Sequence, residues 1–129
     1  MATGKKTIAI LEDDSHTREV LTDFFTAKGF DVYGAESGFD IVKDVVARKP
    51  DLVITDLGLP GASGDQVMKT LKMRNFLAGV PIIIISAMDP EHVRQTAKSL
   101  GGVEFMTKPL DMERLLALAN DLTARAHAA

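Results

Sequence analysis

Glu12 and Asp13 follow the apolar run Thr7–Leu11, and Asp56 ends a second run, Leu52–Asp56. Ser86 closes the run Pro81–Ser86, and Lys108 comes shortly after the run Val103–Met106. Three carboxylates brought together repel one another and raise each other's pKa unless a cation joins them. A hard cation with oxygen ligands answers that need, Mg²⁺ first and Mn²⁺ as the alternative. A hydroxyl and a lysine on the same rim would add one hydrogen-bond donor and one fixed positive charge. What remains is to see whether the chain can bring all five side chains to one place.

The elements that must do so alternate strictly. Thr7–Leu11 reads as a strand. Ser15–Lys28 follows as a helix with Val20, Leu21, Phe24 and Phe25 inward, closed by Gly29. Asp14 is placed to cap that helix or to support the site from behind. Phe30–Ala35 alternates like a more exposed strand. Ser37 can cap a helix running to Lys49, with Ile41, Val42, Val45 and Val46 inward, and Pro50 stops it. Leu52–Asp56 is the third strand. The turn-forming Leu59–Gly64 (LPGASG) opens a helix that turns Val67, Met68 and Leu71 inward. Pro81–Ser86 (PIIIIS) is apolar on both faces, as a central parallel strand should be. Asp89 and Pro90 then start a helix that ends near Leu100, and Val103–Met106 is a short last strand. Asp111 caps a final helix with Leu115, Leu116, Ala119 and Leu122 on its stripe, and Ala124–Ala129 should fray. Strand and helix in alternation predict an α/β fold, a doubly wound parallel sheet with right-handed crossovers. In such sheets the carboxyl ends of the strands form the ligand crevice, and all five candidates lie there.

Composition narrows the function. The chain has 129 residues, within the range of one domain, and 46% hydrophobic residues suffice for an ordinary core. A net charge of −3 argues against a nucleic-acid surface. Without cysteine there is no disulfide or thiolate chemistry, which fits a cytoplasmic protein. The longest apolar stretch is too short to span a bilayer, so no membrane partner is expected. His16, His92 and His127 lack metal-ligand spacing.

Four segments, ILEDD (10–14), PDLVITDLGLPGASG (50–64), PIIIISA (81–87) and FMTKPL (105–110), taken in order, resemble the receiver domain of two-component response regulators. The resemblance covers nearly the whole chain and implies a (βα)5 fold with the flavodoxin-like strand order 2-1-3-4-5. It implies that Asp56 accepts a phosphoryl group. Asp13, Asp56, the Gly58 backbone carbonyl and Glu12 (directly or through water) would bind Mg²⁺. Lys108 and Ser86 would each contact a phosphoryl oxygen. It also implies a cis peptide at Lys108–Pro109 and a switch role for Phe105. Burial should favour an inward Phe105 ring, since Phe lacks the hydroxyl of a Tyr.

Other functions fit less well. A flavodoxin-like electron carrier needs a Ser/Thr/Gly-rich phosphate loop where this chain has Glu12-Asp13-Asp14. A haloacid-dehalogenase-type phosphatase needs a second acid two residues after its nucleophile, where this chain has Gly58. The P-loop motif is absent. A degenerate receiver, binding proteins without phosphorylation, is the runner-up. Its mark would be loss of the acceptor aspartate or the lysine, and both are present. The expectation is therefore one stand-alone receiver domain spanning 1–129, with flexible ends at about 1–5 and 124–129. It would be a phosphoacceptor and not an enzyme, beyond slow self-phosphorylation from small donors and autodephosphorylation. Its expected partners are a sensor histidine kinase or histidine phosphotransfer protein and a downstream protein target. The target would meet the face built from Pro90–Leu100, Val103–Met106 and Asp111–Leu122. Monomers, or weak dimers on phosphorylation, are expected.

Overall fold

A computed structural model describes residues 5–35, 47–56, 79–99 and 103–128. Five strands, β1 (Thr7–Leu11), β2 (Asp31–Ala35), β3 (Leu52–Asp56), β4 (Ile82–Ser86) and β5 (Glu104–Thr107), form one sheet. Their order is β2-β1-β3-β4-β5, and every pairing is parallel. Three helices are described: α1 (Ser15–Ala27), α2 (Pro90–Ser99) and α3 (Met112–Ala128). The stripes expected at Ile41–Val46 and Val67–Leu71 lie outside the described residues. Of the helix expected to end at Lys49, Ala47 and Arg48 are helical, and Lys49, at φ 48°, turns the chain out before Pro50.

The three central strands are apolar on both faces because both faces are covered. Ile8, Ile10, Leu52, Ile54, Ile83 and Ile85 meet Leu21 and Phe25 of α1 and Leu115, Ala119 and Leu122 of α3. The alternate positions, among them Ala9, Leu11, Val53 and Ile84, are equally buried, and α2 packs on β4 and β5 with Val93 and Ala97 buried. Val20 departs from the expected stripe. It is 44% exposed, because Leu21 and Phe25 already fill the contact with the sheet.

Several boundaries move by a residue for identifiable reasons. Phe30 does not open β2 but ends the α1 cap. Its N–H donates to Phe25 O (3.1 Å), while Gly29 N–H donates to Thr26 O (3.1 Å). The Phe30 ring stands edge-on to Phe25, with centroids 5.6 Å apart. These are the two hydrogen bonds and the apolar contact of a Schellman motif, and Gly29 adopts φ +97° to make it. Pro81 has no N–H for the ladder, so β4 starts at Ile82, although Pro81 O still accepts from Val53 N–H (3.1 Å). Val103 N–H is tied back to Ala97 O (3.2 Å), which shifts β5 one residue later. Asp89 and Asp111 cap α2 and α3 by accepting from His92 N–H (3.3 Å) and Arg114 N–H (3.1 Å). α3 continues to Ala128, past the Ala124 where fraying was expected.

Gly29 gives the first prediction. An alanine methyl there would meet nothing within 4 Å, so its cost is backbone strain alone. Gly29→Ala should lower unfolding stability by about 1 kcal/mol. Urea denaturation checks this, and no change in midpoint would mean that the left-handed cap contributes nothing.

Candidate functional site

The sheet register decides which side chains meet. Residue Leu11 pairs with Thr55, so Glu12 at the end of β1 stands beside Asp56 at the end of β3. Asp56 pairs with Ile85, one residue before Ser86, and Ser86 pairs with Thr107, one residue before Lys108. All sit at carboxyl ends of parallel strands, on the crevice side of the sheet.

Glu12 is wholly buried and makes three contacts. Its Oε1 accepts from Asp14 N–H (3.1 Å), its Oε2 accepts from Lys108 Nζ (2.9 Å), and its backbone carbonyl accepts from Arg18 Nη1 (2.7 Å). Asp56 is 8% exposed, and its Oδ2 accepts from Lys108 Nζ at 2.8 Å. Asp13 is exposed, yet one carboxylate oxygen each from Glu12, Asp13 and Asp56 lie within 4.8 Å of one another. Asp14 turns away as the N-cap of α1, accepting from Thr17 N–H (2.8 Å) and Thr17 Oγ1 (2.5 Å). Those two bonds hold its carboxyl below the ordinary aspartate range.

The other two rim residues are anchored by backbone bonds. Lys108 N–H donates to Ser86 O at 2.8 Å, which fixes the start of the lysine to the end of β4. The Lys108–Pro109 peptide is cis. Ser86 is buried, and its Oγ accepts from Met88 N–H at 3.0 Å. Gly58 lies outside the described residues. Phe105 corrects an expectation: the residue is 36% exposed, where a buried aromatic was expected. Phe105 stands on β5, the edge strand of the sheet, which has a neighbouring strand on one side only.

The electrostatics follow from the contacts. Burial pushes the Glu12 carboxyl above its ordinary value. Hydrogen bonds from Lys108 and the Asp14 N–H offset part of this, and the Asp56 charge adds to it. Burial pulls the Lys108 ammonium down, but the hydrogen bonds to Asp56 and Glu12 outweigh it and hold the pKa above the usual lysine value. Three carboxylates against one ammonium leave two net negative charges. Each like-charge pair within 4.8 Å costs about 3–4 kcal/mol at an effective dielectric of about 20, less for exposed Asp13. At 2.8 and 2.9 Å the lysine offsets the repulsion between Asp56 and Glu12, but the net charge of the cluster stays negative. An all-oxygen, anionic donor set of this size fits Mg²⁺ or a similar hard cation.

One partner of the site had no sequence motif. Arg18 reaches back from the first turn of α1 to the Glu12 carbonyl. Lys108 bridges two carboxylates in this structure, whereas its sequence role was contact with a phosphoryl oxygen.

Comparison with known proteins agrees with the fold. Protein PilH of Pseudomonas aeruginosa is 32% identical over 117 residues, covering 91% of this chain and 97% of that protein. The phosphate regulon transcriptional regulatory protein PhoB of the same organism is 31% identical over 112 residues, covering 87% of this chain. The chain spans about half of PhoB, 49% of its length. The solved structure of the Francisella response regulator 1452 receiver domain superposes with a TM-score of 0.86 at 23% identity, covering 94% of this chain and 98% of that one. Among the described residues, no helix is long and apolar enough to cross a membrane. The family profile of the response regulator receiver domain matches residues 8–120, and the chain belongs to that family.

Proposed function

We propose that Asp56 is the phosphoacceptor of this receiver domain, charged by a histidine of a sensor kinase or histidine phosphotransfer protein. One geometry supports this most directly: Lys108 Nζ lies between Asp56 and buried Glu12, in a cluster completed by Asp13. An Asp56 oxygen attacks phosphorus, the P–N bond to the imidazole breaks, and the imidazole keeps the electron pair. The product is an acyl phosphate. Attacking as a carboxylate, Asp56 has no proton to lose and needs no general base.

Glu12, Asp13 and Asp56 would hold Mg²⁺, with the Gly58 carbonyl as a further ligand. When bound, the ion offsets repulsion between the phosphoryl oxygens and the carboxylates. Lys108 stays protonated, since its pKa is held high, and can exchange a carboxylate for a phosphoryl oxygen. The Ser86 hydroxyl accepts from Met88 in its own loop, and that bond does not use its proton, which a phosphoryl oxygen can accept. Pulling Ser86 toward Asp56 would strain the loop leading into α2. The signal then leaves by the face of α2, β5 and α3, where Met88 and Phe105 are exposed and a protein target can bind. Slow labelling by small phosphodonors and slow autodephosphorylation belong to the same proposal.

The test is an NMR titration with millimolar Mg²⁺ and then beryllofluoride, a phosphoryl mimic. Amides near Asp56 and Ser86 should shift, and with the mimic the shifts should extend through Pro90–Met106. In Ser86→Ala the local shifts should persist while the remote ones shrink, because the contact that differs between the two states is gone. Silence near Asp56 in wild type would sink the proposal. Full remote shifts in Ser86→Ala would remove Ser86 from the coupling.

A further inference from the structure

Arg18 has no part in the chemistry above, yet it is built into the site from two directions. Its Nη1 donates to the Glu12 carbonyl at 2.7 Å, and the peptide so held joins Glu12 to Asp13. Its aliphatic stem crosses β2 at Gly34. A Cβ on Gly34 would stand 3.0 Å from Arg18 Cδ and 3.1 Å from Cγ. Gly34 is not among the positive-φ residues, so its backbone does not require glycine. Room for the arginine stem is the remaining physical reason for a missing side chain in mid-strand. Lying on the β2 edge of the sheet, Gly34 touches none of the clustered acids except through this arginine.

We propose that Arg18, threaded over Gly34, is a positioning residue for the cation site. It fixes the Glu12–Asp13 peptide and thereby the direction of the Asp13 carboxylate, which is exposed and is tied down by no hydrogen bond of its own among those described. The inference rests on the cation-binding reading given under the proposed function. Two effects of opposite sign separate it from a plain charge effect. As a positive charge, Arg18 repels a divalent cation, so its removal would tighten binding. As an anchor, its removal would loosen binding. Groups that orient metal ligands typically carry about 10- to 100-fold in affinity. The charge effect is weaker, because Arg18 is a half-buried residue at a solvent-facing rim, where its charge is screened. The anchor should win.

The experiment uses the full chain and Mg²⁺ alone, with no phosphodonor. Mg²⁺ affinity is read from amide shifts, and thermal melting by circular dichroism reports folding. Arg18→Ala should weaken Mg²⁺ binding about 10-fold, and Arg18→Lys should recover part of that, having charge and stem but not the fork. Gly34→Ala changes no charge and no ligand, yet it should also weaken binding by displacing the stem. In the double variant Gly34→Ala should add nothing to Arg18→Ala, because no stem remains to displace. Unchanged or tighter binding in Arg18→Ala overturns the proposal, as does an additive effect of Gly34→Ala. Should Arg18→Ala fail to fold, Gly34→Ala against wild type carries the test alone, and unchanged affinity there overturns the proposal. A wild-type chain that binds no Mg²⁺ overturns the functional reading and this inference together. Normal wild-type binding with unaltered variants overturns this inference only.

Discussion

Asp56→Asn should abolish labelling by acetyl phosphate and Mg²⁺ while leaving the fold intact. The two halves of that expectation come from the same contacts. Asp56 is the one clustered acid that is both near the surface, at 8% exposure, and held by Lys108 at 2.8 Å. Glu12 is fully buried with both carboxylate oxygens engaged, so it is a poor substitute nucleophile. Asp13 is exposed and is the residue to watch for misdirected labelling. Stability should change by no more than about 1 kcal/mol. Asparagine keeps an oxygen for Lys108 to donate to, and Lys108 keeps its bond to Glu12. Loss of the Asp56 charge also removes one source of the upward push on the Glu12 carboxyl. The measurement is borohydride trapping of the acyl phosphate, followed by peptide mass spectrometry. Labelling that survives Asp56→Asn at full strength, with no transfer to Asp13, would contradict the assignment.

How much of this was legible in the sequence depends on what kind of interaction placed each residue. Leu52–Asp56 read correctly, and Pro81–Ser86 to within one residue, because an unbroken apolar run leaves few options but a strand covered on both faces. Strand ends then placed Glu12, Asp13, Asp56, Ser86 and Lys108 on one rim, since a parallel sheet puts all carboxyl ends at one edge. Caps at Asp14, Asp89 and Asp111 are local and carry a residue-type signal. Arg18 was missed because a side chain reaching six residues back to a carbonyl leaves no pattern of residue types. Gly34 was missed for the same reason, for its meaning lies in what crosses it. Val20 was placed inward by hydrophobicity alone, and Phe105 by hydrophobicity together with the resemblance to a switch position. Periodicity names a face but not how far round the helix the contact extends, and a residue on an edge strand has a neighbour strand on one side only.

Lys108→Met should be far more damaging to the fold than any change at Asp56, and the loss should depend on pH. Methionine roughly keeps the length of the stem and removes the ammonium. Glu12 is then a fully buried carboxylate beside Asp56 with no cation, holding only the Asp14 N–H. Breaking a buried pair by removing one partner typically costs about 3–5 kcal/mol. The Lys108 side chain is 23% exposed, so water screens part of that, and about 2 kcal/mol at pH 7.5 is the expected loss. The sign with pH follows from Glu12. Burial already holds its folded pKa above the ordinary glutamate value, and Lys108 now pulls the other way. Without the lysine that pKa rises further. Between the unfolded and folded values the folded chain then binds a proton that the unfolded chain does not, so stability increases as pH falls through that window. The deficit of Lys108→Met should therefore shrink at pH 5. The wild-type contribution of Lys108 behaves differently: its raised pKa keeps it intact below the ordinary lysine value and loses it only as pH climbs through the raised one. Millimolar Mg²⁺ should also restore stability to the variant, because a ligand that binds only the folded site stabilises it by mass action. Urea denaturation of wild type and Lys108→Met at pH 7.5 and pH 5, each with and without Mg²⁺, measures all of these. An equal deficit at both pH values, untouched by Mg²⁺, would show that Lys108 contributes packing rather than the charge that lets three carboxylates share one rim.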